Sequence, residues 1–234
     1  MWDFLFAPAL AEGEAAAAAE PSWLQKAFEK FGEVSYTGWI ILAVLILLWV
    51  GLTAIARQKT QWTAKLLAYA ALSIALAFVL SYVRLWRMPQ GGTITPASML
   101  PMMLFSYAFG IGPGLVASLA YGLLQAIQDP YIVGFWQFLL DYPIAFGVIG
   151  LMGLFSKHQQ KWMLYAGMIM VGLLRMACHT LSGVLFFANY AAEAGMAPWP
   201  YSLGYNSFVL VDAAICLVVA VLAAPRLLKL MKAK

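Results

Sequence analysis

The sequence predicts an all-α integral membrane protein, and three observations carry that prediction. Hydrophobic residues make up 64% of the 234 positions and charged residues 10%, a balance that leaves no material for a separate soluble domain. Apolar runs of bilayer-spanning length recur along the chain, separated by short breaks rich in proline, glycine or lysine. Basic residues gather at alternate breaks, as the positive-inside bias requires of a polytopic protein. The net charge of +4 is small, and its placement speaks for topology rather than for nucleic acid. Cys178 and Cys216 both fall inside apolar runs, where they serve as small hydrophobes and say nothing about redox compartment.

Residues 1–37 are expected to form a tail on the outer face. They hold six of the ten acidic residues and the alanine run Ala15–Ala19. No basic residue precedes Phe4–Pro8, so the tail does not read as a secretory signal. Trp23–Phe31 has the pattern of a surface-lying amphipathic helix, with an unstructured tail as the alternative. Residues 38–57 form a first spanning helix, and Arg57, Lys59 and Lys65 mark its end as cytoplasmic. The remainder, residues 63–230, reads as a six-helix unit.

The first helix of that unit runs over about 63–86 and carries Ala71 and Ala75 four apart, a spacing that lets another helix approach closely. Arg87–Pro96 cannot continue a helix, because it holds two prolines and a glycine pair, and it is read as an external loop suited to act as a lid. A short helix over about 96–109 follows. The Gly110–Gly114 turn has no preceding strand and no closing lysine, which argues against a phosphate loop. The next helix, about 113–127, carries Gly114, Ser118 and Gly122 on one close-packing face. Helices over about 135–155 and 163–187 are joined by the basic stretch Lys157–Lys161, in which His158 is read as solvated. A loop over 189–200 leads to a last helix over about 202–228 and a basic C-terminus.

The charge tally tests this layout. Expected cytoplasmic stretches hold Arg57, Lys59, Lys65, Lys157, Lys161, Arg226, Lys229, Lys232 and Lys234 with no acid, whereas the outer stretches combine the acidic tail, Asp129 and Glu193 with only Lys26, Lys30, Arg84 and Arg87. The N-terminus is therefore expected outside and the C-terminus inside.

Against this background the polar residues within apolar segments stand out, because an ionisable group at membrane depth is costly and functional by default. They are Asp141, Arg175, His179, Asn206 and Asp212. Arg175, His179, Ser182, Phe186 and Tyr190 recur every three or four residues and so share one helical stripe, which should face the bundle. Asp141 is expected to neutralise Arg175. The aromatic residues Tyr131, Trp136, Tyr142, Trp199 and Tyr201 cluster with Asn206 near the outer face, and flat rings beside a carboxylate suit a flat cationic or aminated heteroaromatic ligand. Interfacial anchoring is the competing role for Trp136 and Trp199. An intramembrane hydrolase could use His179 with Ser182 or Asp141, but no HExxH, paired-glutamate or GxSxG pattern accompanies them. A purely structural subunit is the third class.

Five blocks carry a family resemblance: Gly91-Gly-Thr-Ile-Thr-Pro-Ala-Ser-Met-Leu-Pro-Met, Tyr121-Gly-Leu-Leu-Gln-Ala-Ile, Leu139-Leu-Asp-Tyr-Pro-Ile-Ala-Phe, His179-Thr-Leu-Ser-Gly-Val-Leu-Phe-Phe and Tyr201-Ser-Leu-Gly-Tyr-Asn. In order and spacing the set resembles the thiamine-specific S component (ThiT-type) of energy-coupling factor (ECF) transporters over about residues 64–228. Residues 1–61, with the extra helix, lie outside it.

The resemblance implies a six-helix S-component bundle in the bacterial plasma membrane, a capture subunit with no catalytic activity and no cofactor. Such subunits bind thiamine from outside and deliver it by toppling on a transmembrane T subunit driven by two ATPase subunits. Carried across by motif, Asp141 takes the place of the family's acid at the thiazolium, and Tyr131, Tyr142, His179, Tyr201 and Asn206 match pocket positions. Arg175 falls where a lysine is known, and Ala71 and Ala75 match the docking motif for the T subunit. Phe187 and Gly92 stand where pocket tryptophans are expected, and the acid is one methylene shorter than the usual glutamate. Stacking would then rest on Phe187, Phe186 and Tyr131, with Trp136 or Trp199. A pyrimidine or thiazole precursor of thiamine is the alternative ligand.

Overall fold

The structure is a computed structural model that describes residues 60–157 and 160–232, together with positions 40, 43, 46, 47, 50, 51 and 54. The expected tail at 1–37, most of the expected helix at 38–57 and His158 lie outside the described residues. The described positions between 40 and 54 are helical, and Ile46 packs against Leu140, Ile144 and Cys178.

Eight helices and one two-stranded hairpin make up the described chain from residue 60. Helix α1 is Ala64–Tyr82, β1 Trp86–Arg87, β2 Thr93–Ile94, α2 Leu100–Phe109 and α3 Ile111–Gln128. Then come α4 Phe135–Phe155, α5 Lys161–Phe186, α6 Ala188–Glu193, α7 Pro198–Asn206 and α8 Phe208–Lys232. Five apolar stretches, Ala64–Tyr82, Ile111–Gln128, Phe135–Phe155, Trp162–Phe186 and Pro198–Met231, are long enough to cross a membrane. The chain is a multi-pass membrane protein.

Helix α2 is the centre of the bundle. Its ten residues give a length of only about 15 Å, yet Met102, Met103, Leu104 and Phe105 are essentially inaccessible, wrapped by α1, α3, α4 and α8. The outer surface is the inverse of a soluble protein's. Leu67, Leu72, Leu76 and Val79 on α1 and Val218, Val221 and Leu222 on α8 are exposed, as lipid-facing positions should be.

Four departures from the expected layout have physical reasons. The loop after β1 is a hairpin, with Trp86 opposite Ile94 and Arg87 opposite Thr93. Its turn is closed by Gly91 and Gly92 at φ +84° and +87°, a left-handed conformation that glycine adopts without penalty. The 96–99 stretch is a non-helical entry to α2, with Ala97 at φ +66°. Pro143 has no N–H to donate, and the helix around it widens to a π-turn over Leu140–Ile144. Finally, part of the expected loop at 189–200 is the short helix α6, and the last helix breaks at Ser207 into α7 and α8.

The close-packing face expected on α3 meets α4. A side-chain carbon on Gly114 would lie 2.9 Å from the Gly150 carbonyl oxygen, and one on Gly122 2.7 Å from the Tyr142 carbonyl oxygen. One on Gly150 would lie 2.5 Å from the backbone of Leu115. Ala71 and Ala75, in contrast, are exposed. Gly150→Ala should therefore force α3 and α4 apart and cost about 1–3 kcal/mol, read as a lower thermal unfolding midpoint in detergent, while Ala71→Leu leaves the midpoint within experimental scatter.

Candidate ligand-binding site

At the hairpin end of the bundle, opposite the end bearing Arg226 and Lys229, lies a cavity of about 140 Å³. Its walls come from the hairpin, the α2 entry, the ends of α3 to α5 nearest the hairpin, the 129–134 loop, and α7 and α8. Eight of the nine residues expected to hold ligand line it: Asp141, Tyr142, His179, Arg175, Tyr131, Tyr201, Asn206 and Phe187. Trp136 does not. It packs instead, as Phe186 does, in the apolar cluster of Leu140, Ile144 and Cys178. Trp199 is exposed and also absent from the wall.

Asp141 is held by three side chains that converge from two helices. Gln137, one turn earlier on α4, donates to Oδ2 at 2.6 Å, and Ser182 on α5 donates to the same oxygen at 2.7 Å. The Nδ1 of His179 lies 3.0 Å from Oδ1. With Nδ1 donating to the carboxylate, Nε2 is the acceptor of a neutral ring. That Nε2 is buried with no hydrogen-bond partner among the described residues, and the ring lines the cavity. A buried acceptor left in this way favours a ligand that brings a donor.

The pairing expected between Asp141 and Arg175 is not formed. Arg175 faces Asp212 on α8, with Nη1 to Oδ2 at 3.6 Å, and both side chains are nearly inaccessible. The guanidinium also lies 4.4 Å over the Phe146 ring, and Nη1 lies 3.1 Å from Met99 Sδ. Asp212 in turn accepts from the Thr95 backbone N–H at 3.0 Å and from the Thr95 hydroxyl at 2.9 Å. Thr95 Oγ1 is 2.7 Å from Ser98 Oγ, so the foot of the hairpin and the α2 entry are tied to α8 through one carboxylate. The helical spacing of Arg175 placed it on the correct face; which carboxylate it met depended on how α8 is turned. Asp212 stands out in the sequence by the same argument as Asp141, as an acid in a long apolar helix, but it was not expected among the residues that hold ligand.

The hairpin tip is fastened to α7. Tyr205 accepts from the Gln90 N–H at 2.8 Å and donates to the Gly91 carbonyl at 3.0 Å, while Tyr201 sits 3.2 Å from Gln90 Nε2. Gln90 and Tyr205 were not anticipated, although Tyr205 lies one turn beyond Tyr201. On the other side Arg84 and Arg87 pair with Asp129 at 3.1 and 3.0 Å. A side chain on Gly92 would collide with the ring of Phe208, 2.5 Å from its Cζ, so the volume expected for a tryptophan there belongs to Phe208.

Two other expected residues are engaged in building the wall. Tyr142 accepts from the Tyr131 N–H at 2.8 Å and donates to the Asp129 carbonyl at 3.0 Å, fixing the 129–134 loop. Asn206 donates to the carbonyls of Ser202 and His179 at 2.9 and 3.2 Å, which fastens α7 to α5 across Gly183. Any side chain at Gly183 would run into Ser202. Phe187, Tyr190 and Tyr131 form an aromatic group on the cavity wall. Phe187 stacks on Tyr190 at 6.1 Å and 26° and lies 5.8 Å from Tyr131, whose hydroxyl is 2.8 Å from that of Tyr190. Burial, followed by the Tyr190 hydroxyl, pushes the Tyr131 phenol up to about 12, so it stays protonated across the physiological range.

The chain is similar to known proteins. The family model described as "Thiamine transporter protein" matches residues 67–232. The thiamine transporter ThiT of Bacillus subtilis (strain 168) is 37% identical over 162 residues, which is 62% of this chain and 83% of that protein. The ThiT of Lacticaseibacillus paracasei is 29% identical over 123 residues, 46% of this chain and 61% of its own length. A solved structure of ThiT from Listeria monocytogenes superposes with a TM-score of 0.58 at 28% identity, over 70% of this chain and 96% of that one.

Tyr205→Phe removes both hydrogen bonds that fasten the hairpin tip, each with a net contribution of about 1 kcal/mol. Backbone amide exchange at Met88, Gln90, Gly91 and Gly92, followed by mass spectrometry, should accelerate by about tenfold or more; an unchanged rate would mean that strand pairing alone holds the tip.

Proposed function

The chain belongs to the thiamine transporter family, and on that premise we propose that its outer cavity captures thiamine and hands it inward as the S component of an ECF transporter. The observation that carries this reading is the charge state of the cavity wall. Asp141 is held by an amide, a hydroxyl and an imidazole, while Arg175 is matched by Asp212. A cationic ring entering the cavity would meet an uncompensated carboxylate, and thiamine carries such a ring in its thiazolium.

The remaining groups fit the same ligand. Phe187, Tyr190 and Tyr131 offer an aromatic face against which flat rings and a delocalised cation can stack. His179 Nε2 offers an acceptor for the amino group of the aminopyrimidine. Asn206 contributes by fixing the α5–α7 contact and the position of its own amide beside His179. The hairpin covers the mouth from the outer side, and releasing Gln90 and Gly91 from Tyr205 would open it.

In this reading residues 63–230 are the substrate-binding domain, 38–57 an accessory spanning helix and 1–37 an outer tail, with the N-terminus outside and the C-terminus cytoplasmic. Delivery needs partners, a transmembrane T subunit and two ATPases, since the chain has no phosphate-binding lysine loop of its own. The exposure of Ala71 and Ala75 on α1 suits a helix from the T subunit approaching that face.

Titration of the detergent-purified protein with thiamine, followed by tryptophan fluorescence, tests the assignment. Saturable quenching is expected, and Asp141→Asn should weaken binding by at least about tenfold, since interactions of a charged group are worth about 1.5–3 kcal/mol. An Asp141→Asn protein with wild-type affinity would overturn the role of the carboxylate. A response to the free aminopyrimidine or thiazole alcohol but not to thiamine would move the ligand to a precursor. Replacing Ala71 and Ala75 together by tryptophan should leave binding intact and abolish uptake in cells that supply the T and ATPase subunits.

A further inference from the structure

The electrostatics of the cavity contain a residue that neither the family resemblance nor the expected site included. The charged side chains on the cavity wall, among the described residues, are Asp129, Asp141, Arg175 and Asp212. Asp129 at the mouth is bracketed by Arg84 and Arg87. That leaves one guanidinium and two carboxylates deeper in. Arg175 is one helical turn before His179, the residue that holds Asp141, so it is close enough to influence that carboxylate. Arginine does not lose its proton in a protein, and its charge must be answered by a neighbouring anion or persist in the cavity.

We propose that Asp212 sets the charge selectivity of the cavity: by holding Arg175 on the α8 side, it leaves Asp141 as the anion that faces a cationic ligand. Asp212 is a positioning residue in this scheme and acts through Arg175. Three features fix the arrangement. The Asp212 carboxylate is nearly inaccessible and is oriented by two hydrogen bonds from Thr95. The guanidinium is seated on the Phe146 ring and against Met99, which limits its swing toward Asp141. Asp141 meanwhile has its oxygens occupied by neutral donors. The pair Arg175–Asp212 then adds no net charge, and the ligand sees the field of Asp141.

The inference rests on thiamine, or another cation, being the ligand, and the test separates the two. Binding of thiamine is compared with that of an analogue in which the thiazolium is replaced by a neutral thiophene, both followed by tryptophan fluorescence on the same preparation. Asp212→Asn keeps the shape and the acceptor for Thr95 but removes the charge. Its ratio of thiamine to neutral-analogue affinity should fall by at least about tenfold, as expected for an unanswered cation within about 10 Å at an effective dielectric of about 20. The double variant Arg175→Gln, Asp212→Asn removes the cation as well and should return the ratio to within about twofold of wild type. It also keeps the test alive if the single variant does not fold, because removing both members of a buried pair is far better tolerated than removing one.

Equal loss of both ligands in Asp212→Asn, or a double variant whose ratio stays low, would overturn the proposal and leave Asp212 as scaffold. A wild-type protein that binds the neutral analogue as well as it binds thiamine would overturn the cation reading of the site itself.

Discussion

The Arg175–Asp212 ion pair is the constraint around which the hairpin half of the bundle is arranged. Each charge, taken alone out of water, would cost several kcal/mol even after relaxation, and the structure answers with geometry from five directions. Helix α5 supplies the arginine and α8 the aspartate. Helix α4 supplies the Phe146 ring, and Met99 at the α2 entry supplies a sulfur. Thr95, at the foot of the hairpin, caps the carboxylate with two hydrogen bonds. Satisfying one buried pair thus fixes where the hairpin leaves the bundle and how α8 is turned, and both decide the shape of the cavity. The second carboxylate, Asp141, can then be held by neutral groups alone.

Much of this was legible in the sequence, and the limit of legibility has a physical form. Hydropathy over 18 or more residues specifies a spanning helix because only a helix satisfies a segment's backbone hydrogen bonds within the segment itself in lipid. The stripe Arg175, His179 and Ser182 follows from 3.6 residues per turn. Periodicity states which residues share a face of one helix, but not which face of another helix opposes it. Asp141 and Asp212 were therefore equivalent partners for Arg175 on the sequence, and the rotation of α8 chose between them. Similarly, Trp136 has the aromatic character of a pocket residue, yet its position on α4 carries it to the cluster with Leu140 and Ile144. The π-turn at Pro143, in contrast, follows from the segment's own proline, whose missing N–H interrupts the α-helical pattern.

Glycine has two unrelated uses in this bundle. On α3 and α4 the glycines remove bulk, so that Gly114, Gly122 and Gly150 bring two backbones within contact. At the hairpin tip Gly91 and Gly92 instead supply left-handed backbone, and they do so where the tip lies against Tyr131 and Phe208. A tryptophan at position 92 would need both a strained backbone and the volume that Phe208 occupies. The missing aromatic at 92 and the phenylalanine at 208 are for this reason one feature of the cavity rather than a loss.

The shorter acid raises the corresponding question for charge. If Asp141 recognised its ligand through a hydrogen bond, the loss of one methylene would be severe, because such a bond weakens steeply beyond about 3.2 Å. Its oxygens are already engaged, however, by His179 on one side and by Gln137 and Ser182 on the other. Three of its roughly four acceptor sites are thus taken, and what a ligand chiefly meets is the field of the carboxylate, which falls only as the inverse of distance. At an effective dielectric of about 20, moving a cation from about 4 to about 5.5 Å weakens the attraction from about 4 to about 3 kcal/mol. A carboxylate pinned by three neighbours also has less side-chain freedom to lose on binding than a longer, mobile one. Recognition by charge tolerates aspartate at position 141, provided that no cation of the protein's own stands closer, which is the condition that Asp212 satisfies.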